Sequence, residues 1–239
     1  LPALRQVVLL TGRLEEALAE TRAFLGLRAG VRDEAGMAAL GFAHEVLAID
    51  ETFVEVVAPL AADSSPGRLL ARRGESGYMV VAQVADVAAL RSRAAEIGLH
   101  PIMDSVFEGN LLTQWHPRDL GTLAEIDEMR SGQAWHFCPA LSDTGCTDVV
   151  ADIRGVEVAV ADPAEYTRRW AHLLDLPAEA GATELALGGR YLRFVTDTGD
   201  GPGLRTVEVT ASGERGAGSE RVLCGVLFRV CEPVGVSRG

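Results

Sequence analysis

The side chains able to do chemistry are few in this chain, and most carry two readings. His44 stands beside Glu45 on a strand-like run that precedes Glu55. An imidazole with an ordinary pKa near ~6.5 can serve there as a base, although a lone strand histidine is more often exposed or satisfied by a neighbour. His116 opens the run His-Pro-Arg-Asp, which reads as a turn before it reads as chemistry. Tyr78 can offer a hydroxyl or simply pack. Phe107 and Trp115 can wall a pocket, but aromatic residues at strand spacing are usually core. Along Thr52–Leu60, alternation places Phe53, Glu55 and Val57 on one face and Val54 and Val56 on the other, where they can pack on a helix.

Other chemistries drop out. The chain has no lysine, so all 22 basic residues are arginines; Schiff-base chemistry and a Walker-type phosphate loop go with it. Cys138, Cys146, Cys224 and Cys231 match neither a zinc signature nor a CxxC pair, and read as reduced thiols in a cytoplasmic protein. No nucleophile elbow, dinucleotide fingerprint or HExxH is present. A formal charge of −12 repels phosphate backbones, which argues against nucleic acid as a partner. No apolar run approaches the ~20 residues of a membrane-spanning helix. Leu1–Arg13 reads as a strand and not as a signal peptide.

The elements that must position these residues repeat. In 239 residues, 48% of them hydrophobic, there is room for one large or two small domains. Leu4–Thr11 is strand-like, and Leu14–Leu27 has apolar residues at helical spacing up to Gly26. Met37–Ile49 and Thr52–Leu60 read as strands, and Ala61–Glu75 as a connector. The order then starts again: strand Gly77–Val84, helix Val87–Ile97, and strands Ile102–Val106, Asn110–His116 and Thr122–Ile126. A third copy begins at Gly155–Ala161, with Asp162 as N-cap and Pro163 opening a helix. Strands at Glu184–Leu187, Arg190–Asp197, Arg205–Thr210 and Val222–Val230 follow. The Gly-rich Ser212–Ser219 reads as a loop. Recurrence of one order signals a duplicated architecture.

Four stretches carry a family likeness: Gln6-Val-Val up to Gly26, Val54-Glu55-Val56 to Ala58-Pro59-Leu60, the Tyr78-Met79 strand ending at Asp86, and His116-Pro117-Arg118 through Gly121 to Glu125-Ile126. With them the chain resembles the vicinal oxygen chelate superfamily of glyoxalase I, bleomycin-resistance proteins and extradiol dioxygenases. Residues 4–130 are most similar to methylmalonyl-CoA epimerase. The resemblance implies an α+β fold in which tandem βαβββ units form a cupped mixed sheet, its concave face holding a metal and a substrate. It places the metal-ligand positions at Gln6, Glu55, Met79 and Glu125, where the epimerase has His, Gln, His and Glu. Both histidines are gone, and a thioether suits the expected cations poorly. The epimerase's base position falls near Ala38–Ala39, so epimerase activity is not expected.

The resulting expectations are these. Residues 1–130 form the paired module, 131–147 a linker, and 148–239 a third, partial unit in which Glu157 and Arg193 can pair across the sheet. The protein binds a small organic molecule in the cup, walled by Tyr78, Met79, Phe107 and Trp115, with no transition metal. One alternative is a lyase, isomerase or dioxygenase using Glu55, Glu125 and His44, with a divalent metal on Gln6, Glu55 and Glu125. Another is an interaction protein with a decayed pocket. Self-association as a homodimer would cover a leftover strand edge.

Overall fold

The computed structural model describes residues 1–213 and 216–233. The first repeat runs β1 (Ala3–Leu10), α1 (Leu14–Leu25), α2 (Glu34–Ala39), β2 (Phe42–Ile49), β3 (Thr52–Pro59) and α3 (Ser65–Arg73). The second runs β4 (Ser76–Gln83), α4 (Val87–Glu96), β5 (Met103–Phe107), β6 (Asn110–Trp115), α5 (Pro117–Leu120) and β7 (Leu123–Glu128). After α6 (Ala140–Asp143) come β8 (Val150–Val160), α7 (Pro163–Leu174), β9 (Glu184–Leu187) and β10 (Arg190–Thr196). Three strands follow without a helix: β11 (Gly203–Ala211), β12 (Glu220–Leu223) and β13 (Val226–Cys231). Of the Gly-rich loop expected at 212–219, residues 214 and 215 lie outside the described set.

The fold is mixed α+β, with two mixed sheets. One has the strand order β2-β3-β1-β4-β7-β6-β5, the other β12-β13-β11-β8-β10-β9. One rule recurs: a repeat's first and last strands are parallel neighbours, as in β4 with β7, β8 with β10 and β11 with β13. The middle strands add antiparallel on the outside. Parallel neighbours need a crossover connection, and α4 and α7 supply it. Both helices start on an aspartate cap: Asp86 accepts from the Ala89 amide at 2.8 Å and Asp162 from that of Glu165 at 3.1 Å.

The chain clusters into two compact units. Unit one contains Leu1–Gln6, Tyr78–His136 and Gly155–Arg205; unit two contains Val7–Gly77, Phe137–Arg154 and the residues from Thr206 on. In unit one α4 packs on α7, and the fully buried Trp170 donates its indole N–H to the Leu120 carbonyl at 2.9 Å. The expected Glu157–Arg193 pair is present at 2.9 Å, with Glu184 joining it. Unit two is built on Leu9, Leu18, Leu25, Leu47, Phe53 and Phe228, all buried.

Three local expectations are corrected. Met37–Ala39 belongs to a helix, not a strand, because the Asp33 carboxylate caps the Gly36 amide and the turn closes at Gly41 with φ near 87°. Ala38 and Ala39 are therefore helical, and Val46 is the residue opposite Glu55. Ala61–Glu75 is no bare connector: Ser64 caps α3, and Pro66 sits in its first turn, where proline is tolerated. The run Val222–Val230 breaks into β12 and β13 at Cys224–Gly225, both with positive φ, as a two-residue hairpin turn requires.

The loop 28–33 lies along β2, bridged at Val31 to Val46. A Cβ on Gly30 would fall 1.8 Å from the Val46 carbonyl oxygen. Gly30→Ala is expected to cost about 2–4 kcal/mol of unfolding free energy. Chemical denaturation measures this, and an unshifted midpoint would mean that the loop does not pack on β2.

Candidate functional site

In unit two the site grows from one antiparallel register. His44 opposes Val57 and Val46 opposes Glu55, so His44 and Glu55 are diagonal neighbours on one face. His44 Nδ1 lies 2.6 Å from Glu55 Oε1. His44 Nε2 accepts the Asp33 backbone N–H at 2.8 Å. An amide can only donate, so the ring's proton sits on Nδ1, the ring is uncharged and Glu55 Oε1 is the acceptor. The His44 side chain is 1% exposed and that of Glu55 11%.

The adjacent residue holds this arrangement from the opposite face. Glu45, buried, takes Arg22 at 2.7 Å, Arg32 at 2.8 Å and the Gly30 amide at 2.9 Å. Arg32 continues to Glu15, and these two carboxylates hold its guanidinium above its ordinary pKa against the opposing effect of burial. Residues 30–33 are thereby fixed, and with them the Asp33 amide that meets His44.

In unit one a second polar group forms on β7. Glu125 and Asp127, two apart, share a face with Gln114 and Asn110 of β6 and with Met79 of β4. Gln114 donates to Glu125 Oε2 at 2.7 Å. Asp127 has no exposed surface, and its Oδ2 lies 2.8 Å from His136 Nε2. Burial pushes its carboxyl well above the usual range, while a hydrogen bond with Glu125 and the Thr113 backbone pull it back. Among the buried polar atoms here, Asp127 Oδ1 and Asn110 Nδ2 make no hydrogen bond to another described residue.

The segment after β7 brings His136 to this face. Trp135, fully buried, donates its indole N–H to Gln6 Oε1 at 3.0 Å. Arg5 reaches the same segment, donating to the Ala134 carbonyl and lying 5.2 Å from the Trp135 ring. His136 packs edge-on to Trp135 at 4.9 Å and 6.1 Å from Phe107.

The expected residues thus divide. His44 and Glu55 meet in unit two. Gln6, Met79, Phe107 and Glu125 belong to unit one with Asp127 and His136. Tyr78 and Trp115 lie on the opposite sheet face from Glu125; burial raises the Tyr78 phenol, and the Trp115 indole is satisfied by Thr113 Oγ1 at 3.0 Å. His116 caps the turn it opens, accepting the Arg118 amide. Sequence reasoning missed Asp127, His136 and Asn110. Asp127 was within reach, two residues past Glu125 on the same face. No local signal marks His136. Thiol chemistry finds no support at Cys224, which burial pushes up to about 12.

The profile of the glyoxalase-like domain matches residues 7–174, well over half the chain. The chain belongs to this glyoxalase-like family. That places it in the vicinal oxygen chelate superfamily. A hypothetical protein from Staphylococcus aureus aligns with 97% of this glyoxalase-like chain and 100% of its own, with a TM-score of 0.70 at 11% identity. A hypothetical protein from Bacillus halodurans C-125 covers 55% of this chain and 97% of its own, with a TM-score of 0.50 at 20% identity. Methylmalonyl-CoA epimerase from Mycobacterium tuberculosis covers 54% and 88%, with a TM-score of 0.48 at 21% identity. The first two are likenesses of fold. No curated protein matches in sequence.

Superfamily members often hold a divalent metal, and the glyoxalase-like chain offers a Glu/Asp/His group for one. The four positions implied by the resemblance suit such an ion poorly. Met79 brings a thioether, Gln6 Oε1 already accepts from Trp135, and Glu55 Oε1 already accepts from His44. Nitrogen-15 NMR is expected to show His44 as the Nδ1–H tautomer with a slowly exchanging ring proton. A signal from the Nε2–H tautomer would contradict the Asp33 contact.

Proposed function

We propose that this glyoxalase-like protein binds a small organic molecule through Glu55, with His44 as a positioning residue. The observation that carries the reading is the division of labour in the pair. Both nitrogens of His44 are engaged, and its side chain is shut away; Glu55 is the member that retains exposure. Setting a carboxylate in advance removes part of the ordering cost of binding. In poorly solvated surroundings it favours a ligand with a cationic or hydrogen-bond-donating group. Such binding needs no ion at the four positions of the resemblance.

The same geometry supports a second reading, an isomerase- or lyase-type enzyme in which Glu55 accepts a proton from a bound substrate. His44 would not be the base, because the lone pair of Nε2 is held by the Asp33 amide.

A calorimetric screen of small amines and amino-substituted aromatic compounds tests the proposal. Glu55→Gln is expected to weaken any compound that binds by about tenfold or more, in line with loss of a charge-assisted hydrogen bond. Glu157→Gln, whose parent carboxylate is paired with Arg193, should leave the affinity alone. Compounds that bind Glu55→Gln as tightly as the native chain would overturn the assignment.

A further inference from the structure

The polar face of unit one holds more acceptors than its hydrogen bonds use. Glu125, Asp127 and His136 each bring one ligand atom to within 4.8 Å of the others. Asp127 Oδ2 and His136 Nε2 stand 2.8 Å apart. That is close to the ~3 Å edge between neighbouring ligands lying about 2.1 Å from one octahedral ion. Asp127 has no exposed surface, yet its Oδ1 accepts no hydrogen bond among the described residues. Asn110, also fully buried and on the same face of β6, has an Nδ2 with no acceptor among them. Two neighbouring carboxylates in a poorly solvated place repel one another unless a proton or a cation lies between them.

We propose that Glu125, Asp127 and His136 form a divalent-cation site. Two carboxylate oxygens and one imidazole nitrogen suit Mn²⁺, Fe²⁺ or Zn²⁺; Ca²⁺ prefers six to eight oxygens, and Cu⁺ prefers sulfur. The ion takes the place of the proton between Asp127 and His136. Gln114 steadies Glu125 through Oε2, and the Trp135 edge fixes the His136 ring. Water or a ligand oxygen fills the remaining positions, with Asn110 Nδ2 as a donor to it. Of this donor set only Glu125 coincides with a position implied by the family resemblance. The site lies wholly in unit one and is independent of the reading of Glu55.

Manganese alone is the first probe. The full chain, stripped with chelator and dialysed, is titrated with MnCl₂ by calorimetry and electron paramagnetic resonance. One ion per chain is expected. Asp127→Asn and His136→Gln should each weaken binding by about tenfold or more, while Glu157→Gln changes it by less than about twofold. Pulsed resonance of the manganese-loaded native chain should show nitrogen-14 coupling from one imidazole, lost in His136→Gln. If His136→Gln fails to fold, the other four histidines are replaced together by glutamine instead, and nitrogen coupling that persists in that variant assigns the imidazole to His136 while its loss overturns the site. A native chain that takes up neither Mn²⁺ nor Zn²⁺, or that holds manganese without nitrogen coupling, overturns the site.

Discussion

Glu45 is the charge on which unit two turns. A carboxylate stripped of water costs several kcal/mol unless partners replace the water. Glu45 finds three, two arginines and one amide, from α1 and from the loop 28–33. That loop has no regular structure of its own, and these bonds hold it to the sheet. The Asp33 amide is then in place to fix the tautomer of His44, and His44 in turn sets Glu55. Each step is short and local, so the orientation of the Glu55 carboxylate traces back to the burial of Glu45 on the adjacent strand.

The two polar groups treat burial differently. Around Glu45 and His44, both carboxylate oxygens and both ring nitrogens are engaged. Beside His136, Asp127 Oδ1 and Asn110 Nδ2 make no hydrogen bond among the described residues. Native proteins leave few such atoms, and those that remain ask for a water, an ion or a ligand.

The repeats were legible because hydrophobic periodicity and turn residues agree over each of them, as at Val87–Glu96 between Asp86 and Gly98. Short elements with mixed signals were not. Met37 to Leu40 is apolar enough for a strand, and only the Asp33 cap and Gly41 mark it as helix. Pro66 and Gly67 suggest a break but open α3. For the candidate site, alternation placed Glu55 on its face of β3, but the diagonal pairing with His44 depends on the register of β2 against β3, and Asp127 went unread although it shares a strand and a face with Glu125. His136 comes to Asp127 from a segment with no period at all. Its position depends on Trp135 and Gln6, residues 129 apart in sequence, and nothing local encodes that.

The strand order also bears on solubility. The outermost strands are β2 and β5 in one sheet and β12 and β9 in the other. An open edge invites a foreign strand to add to it, the first step of many aggregates. Three of these edges are only four or five residues long, too short to template much pairing. The exception, β2, has eight residues, and it is the one where the loop held by Glu45 lays Val31 against Val46. The buried carboxylate thus doubles as a guard, keeping the one long border of the sheet from recruiting a stranger.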